Sequence, residues 1–219
     1  MWLLFALGSA FFAGITAALA KLGIHGHDST LVTALRTSVV FLGAWIVAAI
    51  SIKGHFASEL TAITPHTYLF LFLSGLATGA SWLCFFAALS RAPVTLVSPI
   101  DKSSTIIAIA FAVTFLGERL SPIARIGVLA LASGITLTLE PGVLKSLVSQ
   151  YAKHPTNAPL PDAQKAPRAS WIIFALASAI FAALTSILGK VGITGVDSNL
   201  GTSIRTSVVL LMAWILVAL

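Results

Sequence analysis

Residues 2–50 recur as residues 171–219, shifted by 169 positions without a gap. More than half of the paired positions are identical, among them Lys21/Lys190, Asp28/Asp197, Arg36/Arg205, Thr37/Thr206 and Trp45/Trp214. Agreement at polar as well as apolar positions marks a duplication, since two unrelated membrane segments would share apolar character alone. The repeat also argues against a secretory leader at residues 1–20. The same segment returns deep in the chain, and Met1-Trp2-Leu3 puts no basic residue ahead of the apolar core.

The repeated segments are membrane spans. The chain is 58% hydrophobic and 9% charged, against roughly 25% charged for a soluble domain. Apolar runs at 1–20, 30–50, 66–90, 93–117, 122–139, 171–189 and 199–219 predict seven helical spans. The expected fold class is therefore all-α, a polytopic membrane helix bundle. Five spans make the first unit, residues 1–140. That number is odd, so a second unit enters the bilayer from the opposite face, and the duplication is inverted. The first two spans of the second copy fill residues 171–219, and a complete copy would continue past Leu219.

Between the units, residues 141–170 carry prolines from Pro141 to Pro167 together with Lys145, Lys153, Lys165 and Arg168. This composition predicts a polar linker too Pro-rich to pack. It holds the densest cluster of positive charge, which the positive-inside rule places inside the cell. The net charge of +6 comes from such loop residues and speaks to orientation. With no Lys/Arg cluster on one helix face, no nucleic-acid partner is expected. Cys84 is single, so an internal disulfide and a Cys-based zinc site are excluded.

The most informative span runs from Pro93 to Pro122 and carries Asp101-Lys102 just after Pro99. An ionisable residue in a bilayer costs about 2.5–3.5 kcal/mol on insertion scales and marks a functional site by default. Two starts fit the residues. Ser98-Pro99-Ile100-Asp101 forms a capping box, which would begin the helix at Pro99 and leave Asp101 at the interface. Alternatively the helix begins at Pro93, and Pro99 lies inside it, depriving the Thr95 carbonyl of its donor. At 100° per residue Val94, Ser98, Asp101, Thr105, Ala108 and Ala112 then share a small or polar face. Leu96, Ile100, Ile107 and Phe111 share an opposite, lipid-like face. A freed carbonyl beside an aspartate is chemistry that transporters place in a cavity wall.

Other positions carry weaker signals. Lys21 is expected to snorkel at its helix end, and Asp28-Ser29 and Thr64-Pro65 are N-terminal caps. Arg36 lies two turns inside its span, facing either the interface or the protein interior. Gly75-x3-Gly79 is a close-packing signal, and Trp82, Phe85 and Phe86 suit lipid or core packing better than a ligand box. His25-x-His27 is not repeated in the second copy, which has Thr194 and Val196, so no metal is expected there. Lys53, His55 and Glu59 mark a polar loop.

The tight Ala87-Ala88-Leu89-Ser90-Arg91-Ala92-Pro93 turn, followed by Pro99, and the Phe115-Leu116-Gly117-Glu118-Arg119-Leu120-Ser121-Pro122 corner resemble one family. The chain is similar to EamA-type members of the drug/metabolite transporter superfamily, with Gly117 and Glu118 in the family's corner motif. The resemblance covers 1–140 as one unit and 171–219 as the opening of a second. It implies ten spans in two inverted halves around a central cavity, and a secondary transporter moving a small solute across the plasma membrane. It also favours the longer helix, with Asp101 near the cavity. Many relatives have an uncharged residue after the proline, so Ile100-Asp101-Lys102 would mark a subgroup with its own substrate. The three spans not present remove half of the cavity, and self-association would be one way to complete it.

On this basis Ser98, Asp101, Lys102, Thr105, Arg36 and its repeat mate Arg205 are the expected substrate-binding residues. Adjacent helix positions diverge by 100°, so Asp101 and Lys102 need not neutralise each other, and a zwitterion would suit the pair. The alternatives are a lipid-carrier flippase subunit and a non-transporting assembly or regulatory subunit. No Ser/His/Asp set, carboxylate pair or metal cluster is legible, so neither an enzyme nor a cofactor is expected.

Overall fold

The computed structural model describes residues 2–24, 27–52, 56–138, 170–192 and 195–219. His25, Lys53, His55 and nearly all of the expected 141–170 linker lie outside them. The described residues form α1 (Trp2–Gly23), α2 (Ser29–Ile52), α3 (Phe56–Ala62), α4 (Pro65–Arg91), α5 (Val94–Phe115), α6 (Pro122–Thr138), α7 (Ser170–Gly192) and α8 (Ser198–Ala218). Six of these are long and apolar enough to cross a membrane, while α6, with 17 described residues, is shorter. The chain is a multi-pass helical membrane protein. Glu59 belongs to the short helix α3 and not to a loop.

The caps follow the local chemistry. Asp28 Oδ1 accepts from the backbone N–H groups of Thr30 and Leu31 at 2.7 and 3.1 Å, and Asp197 repeats this with Asn199 and Leu200. Thr64 caps α4, with Pro65 at its first helical position. Ser121 Oγ accepts from Ala124 N to start α6. Helix α5 begins at Val94 with Pro99 inside it, so the capping-box start is overturned. The chain enters through Pro93, whose fixed φ and missing N–H suit a helix start.

Helix α7 packs against both α4 and α5, and α8 against α2 and α4. Small residues make this possible, since lipid gives no hydrophobic drive between helices and close approach must supply the attraction. Ala175, Ala179 and Ala183 follow one another at every fourth position of α7, all fully buried. A Cβ on Gly75 would stand 2.7 Å from Val208 Cβ and 2.9 Å from the Arg205 carbonyl oxygen, so α8 crosses α4 at the GxxxG site.

Hydroxyls stitch the same seams. Ser74 Oγ donates to the Thr185 carbonyl and Ser81 Oγ to the Ser178 carbonyl, both at 3.0 Å. Positions rise along α4 while they fall along α7, so these helices run antiparallel. Between α2 and α8, Trp45 Nε1 donates to Ser207 Oγ and Trp214 Nε1 to Ser38 Oγ, each at 3.1 Å. The two bonds interconvert under the 169-residue shift, and they cross in opposite sense. Helices α2 and α8 are therefore antiparallel as well.

One buried cluster joins Ile24, Phe86, Leu89, Leu96, Ile100 and Trp171. It places Leu96 and Ile100 in the core, correcting their assignment to a lipid-like face. That face of α5 is covered by α7, which the helix period of α5 alone does not reveal. By contrast, α1 is mostly exposed and α6 has no buried residue, so both present their apolar side chains outward.

Candidate functional site

Four of the expected site residues converge. A cavity of about 300 Å³ is lined by Arg36 from α2, by Ser98, Asp101 and Lys102 from α5, and by small residues of α1 including Ala17 and Ala20. Trp82, Phe85 and Phe86 of α4 form another wall, so these aromatics are cavity residues as well as packing. Asp101 stands seven residues into α5, about 10 Å from its start at 1.5 Å per residue.

Asp101 is held on two sides. Its Oδ1 accepts from Ser178 Oγ at 2.7 Å, and its Oδ2 lies 3.5 Å from Lys102 Nζ. The aspartate side chain is 13% exposed and the lysine 55%. The neighbours thus do pair, contrary to the expectation from helix geometry, because the four-carbon lysine arm spans the 100° divergence. Ser178 also lies 3.3 Å from Ser81 Oγ, giving a Ser81–Ser178–Asp101 chain that ties three helices together.

Arg36 sits differently. Its guanidinium carbon lies 4.3 Å from the centre of the Trp82 ring and 5.7 Å from that of Phe86. A desolvated cation over an aromatic face gains about 2 kcal/mol, which offsets part of the cost of the charge in the bilayer. Its Nη1 is buried without a hydrogen-bond partner.

Thr105 and Arg205 are not part of this cavity. Thr105 lines a second space of about 310 Å³ between α5 and α7, together with Ser186, Glu118 and Lys190. Ser104 and Ala182 border both spaces. The small face of α5 therefore serves two cavities in succession along one helix. Arg205 faces α4 and α7, its Nη1 3.4 Å from where a Cβ on Gly189 would stand. The shift that maps α2 onto α8 carries Arg36, beside α1, onto Arg205, beside α7.

The two repeat lysines find different partners. Lys190 pairs with Glu118 of the corner motif, where Gly117 adopts φ +67°, a left-handed turn that only glycine enters without strain. Lys21 does not snorkel outward. Its Nζ donates to the Leu89 and Ala92 carbonyls at the end of α4, satisfying acceptors that the helix terminus leaves free.

Ser81 and Ser178 escaped the sequence reading. A serine in a span ordinarily bonds its own preceding turn, so nothing local sets them apart. The available signal was the Ser9/Ser178 identity within the repeat.

Residues 1–140 match the EamA-like transporter family. The chain belongs to that family. It is also 41% identical over 136 residues to a Sinorhizobium sp protein named "Uncharacterized transporter in cobO 3'region", the match covering 62% of this chain and 94% of that relative. No solved structure matches the chain. Family membership makes the cavity of this EamA-type protein a place to look for a solute, and the family match ends where the corner helix α6 ends.

Proposed function

We propose that this chain is a secondary transporter that moves a small solute across the plasma membrane through the cavity at Asp101. The observation that carries the reading is the convergence of Arg36, Asp101 and Lys102 on one space within the span region, joined there by Ser178 of the second unit. Charges in a bilayer persist when they pair or line a pathway, and a serine from the opposite repeat makes the space a junction between units. Alternating access would then be a rocking of the two units about the α2–α8 seam, with self-association or further spans enclosing the rest of the cavity. The units themselves, 1–140 and 171–219, are part of the proposal.

The test is uptake into proteoliposomes across a panel of small organic acids, amines and amino acids, comparing parent with Asp101→Asn. Removing the charge that holds Lys102 and the Ser178 hydroxyl, contacts of about 1.5–3 kcal/mol, changes transport about ten- to hundredfold, by loss or by a change of preferred solute, with membrane insertion unchanged. An Asn variant that matches the parent on every solute would reduce Asp101 to a structural residue.

A further inference from the structure

The cavity proposed above carries an imbalance of charge. Asp101 is matched twice, by Lys102 at 3.5 Å and by the Ser178 hydroxyl at 2.7 Å. Among the described residues Arg36 is matched by ring faces alone, and these attract a cation without accepting its in-plane hydrogen bonds. Its Nη1 is buried with no acceptor. Two cations and one anion thus line the space, and among the described residues the buried donor left without an acceptor there belongs to a guanidinium.

A guanidinium offers a planar fork of N–H groups that fits an oxyanion with two parallel hydrogen bonds. Leaving that fork unused where water is scarce costs more than binding an acceptor would. The rest of the wall mixes apolar groups, Trp82 and Phe85 of α4 with Ala17 and Ala20 of α1, with the hydroxyls of Thr16, Ser98 and Ser104. We infer that the cavity takes a monoanionic organic solute, its oxyanion on Arg36 and its apolar body between the α4 aromatics and the α1 alanines. This rests on the cavity being the solute site, and it replaces the zwitterion suggested by the bare Asp-Lys sequence. A zwitterion's ammonium would have to displace both partners of Asp101.

The potential of the cavity can be read without knowing the solute. In the full chain in nanodiscs, with Cys84→Ala and Ser104→Cys, the cysteine is reacted with an anionic sulfonatoethyl and a cationic trimethylammonioethyl methanethiosulfonate. Each rate is normalised to that of a free thiol. The anionic reagent is expected to be favoured about tenfold or more, from one net charge at cavity distances. Arg36→Gln should erase that preference, Arg36→Lys should keep it, and Asp101→Asn should raise it. The lysine and asparagine variants keep the test decisive where the glutamine variant fails to fold. Equal rates in the parent, a preference for the cation, a preference lost in Arg36→Lys, or one unchanged by Asp101→Asn would overturn the inference. Benzoate, benzamide and benzylammonium then serve as matched competitors, and benzoate should slow labelling most. Equal protection by phenylalanine would restore the zwitterion and also overturn it. Anion preference without uptake of any solute would sink the transport reading and leave this one standing; uptake with no charge preference would do the reverse.

Discussion

Ser178 is the residue through which α7 meets both α5 and α4 at the candidate site. Its hydroxyl reaches Asp101 at 2.7 Å while its carbonyl accepts from Ser81. Ser178→Ala should lower stability by about 0.5–1.5 kcal/mol, the net value of one hydrogen bond. Because Ser81 and Ser178 share a network, Ser81→Ala added to it should cost less than the sum of the two. Thermal unfolding in detergent measures both, and additive losses would mean that the serines act independently. The charged members of this site were legible in the sequence because an Arg or Asp inside an apolar run is costly and needs a reason. The serines were not, since their own helix can satisfy them. Pairing of Asp101 with Lys102 was missed for a different cause: backbone direction at 100° per residue says little about where a long side chain ends.

At the scale of elements, helix ends were readable, and of the faces of α5 the polar one was readable and the apolar one was not. Asp28 and Thr64 cap where the sequence placed them because capping is a local bond. The start of α5 was ambiguous, as Ser98-Pro99 satisfies a capping rule that the longer helix overrides. The buried Leu96 and Ile100 were unreadable from α5 alone, because their cover is α7, seventy residues and more further along. Gly75 and Gly79 were legible as a pair, yet the structure gives them different weight. A methyl group on Gly75 meets Val208 Cβ and a backbone oxygen, neither of which can move alone. On Gly79 it meets the end of Met212, a flexible thioether that can swing aside. Gly75→Ala should therefore cost about 1–3 kcal/mol, the usual penalty of overpacking, and Gly79→Ala clearly less. Thermal unfolding of the two variants decides it, and equal losses would mean that α8 does not cross α4 at Gly75.

For the whole molecule, the repeat fixes how many times the chain must cross between its two halves. The Trp45–Ser207 and Trp214–Ser38 bonds make α2 and α8 antiparallel, and the Ser74–Thr185 and Ser81–Ser178 contacts do the same for α4 and α7. Lys21 reaches the end of α4, and Lys190 reaches the corner that ends α5. These contacts agree on one arrangement, in which α1 and α7 finish at opposite faces. An odd number of crossings must separate the start of α2 from the start of α8. Helix α3 has seven residues and cannot cross, so among the described residues α2, α4, α5 and α7 supply four crossings, and α6 is the helix left for the fifth. Its 17 described residues rise about 26 Å at 1.5 Å each, near the lower limit for a span. Charge alone gave no such relation, because the positive-inside rule sorts loops one by one. A single cysteine at His27 or at Ser198, both exposed beside the starts of α2 and α8, in a Cys84→Ala background, should therefore react with an impermeant thiol reagent from outside the cell at one position only. Labelling of both from the same face would mean that α6 lies along the membrane and does not cross it, and the antiparallel seam between α2 and α8 would have to be abandoned with it.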